Sequence, residues 1–92
     1  NTLFGKNAGD SIASGGNLNT LFGEDAGTAI STGDSNTCIG YRAGYETTGH
    51  GAIHIGASAG QYADGNGNVS VSQSSMMGHP TYGGTPYCCN WI

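Results

Sequence analysis

Charge is what this sequence has least of. Lys6 and Arg42 are its two basic residues against six acidic ones, and charged side chains make up 9% of the 92 residues. The net charge of -4 excludes the basic stripe that marks a nucleic-acid binder. Long hydrophobic runs are missing as well. No segment approaches the ~20 apolar residues of a membrane span, so no membrane insertion is expected. No signal peptide is visible, and the chain starts without methionine, in the first residue of a repeat. It is therefore expected to be the C-terminal piece of a longer chain. A helical period is absent throughout. Apolar residues are few and mostly short, so a lone globule of this size would struggle to offset its ordering entropy. Two solutions remain: disorder, or a regular stack whose core is shared between neighbouring layers.

What the sequence has in quantity is glycine, 18 residues of it, placed with regularity. Asn1-Thr2-Leu3-Phe4-Gly5-Lys6-Asn7-Ala8-Gly9 returns as Asn19-Thr20-Leu21-Phe22-Gly23-Glu24-Asp25-Ala26-Gly27 and again as Asn36-Thr37-Cys38-Ile39-Gly40-Tyr41-Arg42-Ala43-Gly44. A looser copy is Ala52-Ile53-His54-Ile55-Gly56-Ala57-Ser58-Ala59-Gly60. The first glycine recurs at 5, 23, 40 and 56, in spacings of 18, 17 and 16, and the second keeps step at 9, 27, 44 and 60. Disorder does not hold Phe or Ile at one fixed offset from a glycine, whereas a stacked-coil architecture does. The expected fold is all-β: a short β-solenoid or β-roll of about four coils over residues 1–71, then an irregular cap or tip over 72–92.

Each copy opens with a three-residue alternating run that reads as a strand, and Val69-Ser70-Val71 makes a fifth with no glycine behind it. Alternation puts Thr2/Phe4, Thr20/Phe22, Thr37/Ile39, Ile53/Ile55 and Val69/Val71 on one side. Being β-branched or aromatic throughout, this set is expected to fill the coil interior. Leu3, Leu21, Cys38, His54 and Ser70 are then expected to face outward. After the first glycine comes a variable, charged corner. The following Ala-Gly is expected to open a second short strand through Ile12, Ile30, Thr47 and Ala63. The rest of each copy has turn composition, and the drift in period is expected there, where insertions cost least.

The Asn-Thr-x-Phe/Ile-Gly-x-x-Ala-Gly phrase, with its Thr/Ser-Gly turn, resembles the glycine-rich repeats of phage tail fibres. It is also similar to the head repeats of trimeric autotransporter adhesins, which have a shorter Ala-Ile-Gly-x-x-Ala phrase. The resemblance covers residues 1–71. It implies a homotrimer of β-coils, intertwined or side by side, forming a stiff extracellular stalk that binds a host cell-surface glycan or protein at its tip. In such a trimer the column Leu3, Leu21, Cys38, His54 is a candidate for the threefold axis. His54 would then form a ring of three imidazoles suited to a transition metal. Phage fibres hold metal on such axes with His-x-His pairs, which this sequence lacks; a hydrogen-bonded or exposed histidine is the plainer reading of His54.

Other sites are few. Cys38 occupies a leucine column and reads as a small buried hydrophobe. Asp64-Gly65-Asn66-Gly67-Asn68 lacks the glutamate of a calcium loop and reads as a turn. Asn68-Val69-Ser70 matches a glycosylation acceptor, a short and weak pattern. No nucleophile–base pair sits at motif spacing, so the expectation is a non-enzyme without a cofactor. From Met76 on, the repeat breaks. Both prolines and the single tryptophan lie in this tail. His79, Tyr82, Tyr87 and Trp91 are its candidate binding residues, since tyrosine and tryptophan dominate binding hot spots. The same groups could instead plug the open end of the stack. Cys88 and Cys89 would strain a bridge to each other; a ring of inter-chain disulfides and free thiols are the alternatives. Two further functional classes stay open. Thr2, Thr20 and Thr37 form a rank of the kind that binds ice, though one residue wide. A single-chain coil stacking end to end would make a structural filament.

Overall fold

The computed structural model describes residues 1–12, 15–63 and 65–75. One three-residue strand opens each coil: β1 (Thr2–Phe4), β2 (Thr20–Phe22), β3 (Thr37–Ile39), β4 (Ile53–Ile55) and β5 (Val69–Val71). They form one parallel sheet in the order β1-β2-β3-β4-β5. Equivalent positions of the phrase lie opposite each other: Leu3 faces Leu21, then Cys38, His54 and Ser70. The chain is thus a β-solenoid of about four turns, and no helix occurs among the described residues. Parallel strands need a long crossover, and here the remainder of each coil supplies it.

That remainder is not a second strand. Gly5 to Ile12 form consecutive turns instead, closed by Ala8 N–H donating to Gly5 O (3.2 Å), Asp10 to Asn7 O (3.2 Å) and Ile12 to Gly9 O (3.0 Å). Left-handed residues two apart, Asn7 (φ 59°) and Gly9 (φ 62°), curl the backbone so that it cannot extend. Asp25, Arg42 and Ser58 take the same left-handed conformation in later coils. The turns still bond from layer to layer, as where Gly9 N–H donates to Ala26 O (2.9 Å) and Asp25 N–H to Lys6 O (2.8 Å). Backbone groups outside the strands are thereby paired without a second sheet.

The two faces of the strands are the reverse of the expectation. Leu21, Cys38, His54 and Ser70 are fully buried inside the coil, while Phe4, Phe22, Ile39 and Ile53 are exposed. Thr2 and Thr20 are exposed with them. The reason lies across the coil, where buried Ala26, Ala43 and Ala59 are each followed by the second glycine of the phrase. The coil is so narrow there that a Cβ on Gly60 would collide with the His54 ring, and Gly60 needs a φ of +60° besides. One inward column from the strand fills this space; the β-branched column has nowhere to go but out. Ile30, Thr47 and Ala63 close the interior from the far side.

Asparagine sits two residues before the inward column and so shares its face. Asn19 N–H donates to Asn1 Oδ1, Asn36 N–H to Asn19 Oδ1 and Ala52 N–H to Asn36 Oδ1, each at 2.9 Å. The amide nitrogens donate across the coil, Asn19 Nδ2 to Gly33 O (3.0 Å) and Asn36 Nδ2 to Gly49 O (2.9 Å). The side chains thus form a ladder up the axis, with Asn19 and Asn36 buried.

Layers meet closely at the first glycine of the phrase. A Cβ on Gly23 would lie 2.6 Å from the Gly40 carbonyl oxygen, at a φ of +138°. The drift in period falls in the turn region, as expected. In the first coil it lies between Ser11, bonded to Thr28, and Asn17, whose carbonyl accepts from Ser35. In the second it lies between Ala29, bonded to Tyr45, and Asp34, whose carbonyl accepts from Gly51. Interlayer bonding continues past Val71, with Gly60 N–H donating to Ser75 O (2.8 Å).

Candidate functional site

The largest candidate is the outward face of the sheet. Alternation on a three-residue strand leaves two outward side chains per coil, and exact register lines them into two ranks. One rank runs through the threonines into Ile53 and Val69. The other starts with Phe4 and Phe22, 66% and 53% exposed, whose rings stack at 4.8 Å between centroids and 8° between planes. No strand residue is charged, and the one ionisable imidazole, His54, points inward. Apolar side chains gathered on one flat face differ from the scattered exposed hydrophobes normal on any surface.

The second candidate is internal. His54 Nδ1 lies 2.6 Å from Ser70 Oγ in the coil below, and Nε2 lies 3.4 Å from Thr47 Oγ1 in the coil above. The Thr47 hydroxyl has one proton, and backbone acceptors at Ala63 O (3.0 Å) and Gly60 O (3.1 Å) compete for it. Nε2–H is then the donor to Thr47 and Nδ1 the acceptor from Ser70, which is the neutral imidazole. Burial pushes the His54 pKa down to about 4, because a charged ring would lose its hydration. The pair Ser70–His54 has the outline of a nucleophile and its base, but both side chains are fully buried and no substrate reaches them. The proposed ring of His54 imidazoles on a threefold axis is overturned by the same burial: the side chain is enclosed by its own chain. Cys38, one coil above, is also enclosed, and burial pushes its thiol up to about 12, leaving an unreactive small hydrophobe.

The turn face carries the charges. Arg42 lies over the rings of Tyr45 (4.9 Å) and Tyr41 (5.4 Å), with its Nε 3.6 Å from Asp25 Oδ2. Asn7 Nδ2 donates to the other oxygen of Asp25 at 3.0 Å, so the corner is linked through three coils. Asn7, Asp25 and Arg42 hold one place in three successive copies, each with left-handed backbone. On another corner the His50 ring rests against the Asp34 carboxylate. No group of three metal-ligating side chains occurs among the described residues.

Among the sequence-derived site residues, the repeat glycines Gly5, Gly23, Gly40 and Gly56 lie at the layer contact, and Gly9, Gly27, Gly44 and Gly60 line the interior. Of the calcium-like stretch, Asn68 Nδ2 donates to Gly65 O (2.9 Å) within the turn, and Asn66 Oδ1 accepts from His50 N–H (2.9 Å) of the adjacent coil, with no shared focus. His79, Tyr82, Tyr87, Trp91, Cys88 and Cys89 lie outside the described residues. Sequence reasoning missed the asparagine ladder and the Arg42 corner. The ladder had a signal, an asparagine at one fixed place in three copies; the corner had a partial one, since Asn7, Asp25 and Arg42 share one place in three copies while Tyr41 and Tyr45 belong to a single copy. No helix of the described residues is long and apolar enough to cross a membrane. No known protein family, curated protein or solved structure matches the chain.

Proposed function

We propose that this chain is a non-enzymatic structural segment of a trimeric extracellular fibre, a virion tail fibre or an adhesin, with host-surface binding at its C-terminal end. The observation that carries this reading is the unbroken register of the stack. Every coil bonds to the next along its strand, its turns and, from Asn1 to Ala52, its asparagine ladder. Such a solenoid derives its stability from nearest-neighbour layers and resists bending along the stack, as a stalk must. The binding residues of this reading are His79, Tyr82, Tyr87 and Trp91, and its inter-chain bridges are Cys88 to Cys89. Solution mass by light scattering, with and without reductant, tests it. Three copies are expected; a single copy at every concentration would refute the trimer, and long polydisperse assemblies would favour end-to-end filaments.

A second reading, ice binding, is favoured by one observation: the Thr2, Thr20 and Thr37 rank lies on the outward face, with Thr2 and Thr20 exposed. Thermal hysteresis in the freezing of a dilute solution would support it, and its absence would end it.

A further inference from the structure

We infer that the outward face of the sheet is where copies of this chain pack against one another, the occupant being the same face of the other copies gathered about the shared axis. The inference rests on the multi-copy reading above and adds which surface is shared.

Three observations carry it. The first is the distribution of charge. Each chain has a net charge of -4, so two copies repel wherever their ionisable groups meet. Among the described residues those groups sit on the turns and corners, as at Lys6, Asp10, Glu24, Asp25, Asp34 and Arg42, while the sheet face has none. The second is chemistry. Phe4, Phe22, Ile39 and Ile53 are exposed on this one face, and burying them is the gain that association offers. The third is geometry. Parallel strands in exact register form a comb with a repeat of about 4.8 Å, and stacked sheets interdigitate at about 10 Å. An identical comb is the one partner guaranteed to have the same repeat.

The size of the face sets the strength. Five strands of three residues span roughly 24 Å by 10 Å, well short of the ~800 Å² per partner of a standard interface. Association of a stack this short is therefore expected in the micromolar range or weaker, and steeply dependent on concentration.

The experiment is sedimentation of the full chain in reductant, from about 1 μM to 1 mM, a range bracketing that affinity. The wild type is compared with Phe22→Lys/Ile39→Lys, with Phe4→Ser/Phe22→Ser, and with Glu24→Lys on the turn face. Circular dichroism and urea unfolding report whether each variant folds. The wild type and Glu24→Lys are expected to associate alike. Both face variants are expected to remain single copies, or to need at least tenfold higher concentration, while folded. The serine pair decides the matter should the lysine pair fail to fold. Face variants that associate as the wild type does would overturn this interface and leave the multi-copy reading standing. A wild type that stays a single copy throughout would overturn both.

Discussion

Leu21 and Ile30 fill the second coil with hydrocarbon, whereas the fourth coil puts His54 and Ala63 in the same two places. The third coil is intermediate, with Cys38 and Thr47. Below them Ser70 continues the change, so the interior passes from greasy to hydroxyl-lined within about four turns. The backbone barely registers it. Gly27, Gly44 and Gly60 hold φ of 58°, 59° and 60°, and strand register is kept throughout. Interlayer backbone bonds therefore fix the coil, and the inward column only has to fill it. In the fourth coil the large His54 is matched by the small Ala63 across the coil, and its ring nitrogens by hydroxyls in the adjacent layers. The two halves should nevertheless fail differently.

The largest expected effect is in the upper half. Leu21→Ala removes a fully buried side chain between two glycine-lined layers that cannot close the gap, and should cost about 4 kcal/mol in urea unfolding. A cost under about 1 kcal/mol would mean that hydrocarbon is no more important there than hydroxyls are below. Next is Asn36→Ala, which leaves the Ala52 N–H and Gly49 carbonyl without their ladder partner. Two unpaired buried backbone groups should cost about 3 kcal/mol by the same measurement.

Acid should act on the lower half. His54 is held neutral in the fold, with its pKa lowered from 6.5 to about 4. Protonation therefore favours the unfolded chain: the stability contributed is fully present above pH 6.5 and is lost as pH falls toward 4. The loss should be about 1.4 kcal/mol per pH unit and about 3 kcal/mol in all. Urea midpoints at pH 7.5 and 4.5 should differ more for the wild type than for His54→Leu, the difference isolating this group from the surface carboxylates. Equal differences would assign the acid sensitivity elsewhere. The smallest effect is a gain. Leu18 is exposed and left-handed (φ 59°), at a place where the lower coils have Gly51 and Gly67. Leu18→Gly should raise stability by about 1 kcal/mol, read as a higher urea midpoint.

Much of this fold was legible because its unit is written repeatedly. The strand bounds, their parallel stacking and the location of the drifting residue follow from glycine spacing. Which face of the strand is inside did not follow, because Thr, Phe, Ile and Val favour strands as pleated surfaces, not as interiors. The better signal was Asn19 and Asn36, two residues before Leu21 and Cys38 and on the same side of the strand. A polar residue kept at one place beside a varying column marks a rung, and a rung must be buried to bond from layer to layer. The repeat placed His54 and Ser70 in one column, and Asn7, Asp25 and Arg42 at one corner, but which side chains bond there depends on residues that differ from copy to copy.

The rungs lapse at Ala52, whose methyl cannot accept from the coil beneath it. Pulled lengthwise, the stack should therefore part first at the seam between the fourth and fifth layers, where that brace is missing. One freed 16-residue turn would lengthen the molecule by roughly 50 Å, a step that single-molecule stretching resolves. A stack of such turns would possess a built-in sacrificial joint, yielding at that seam and sparing the asparagine-braced layers.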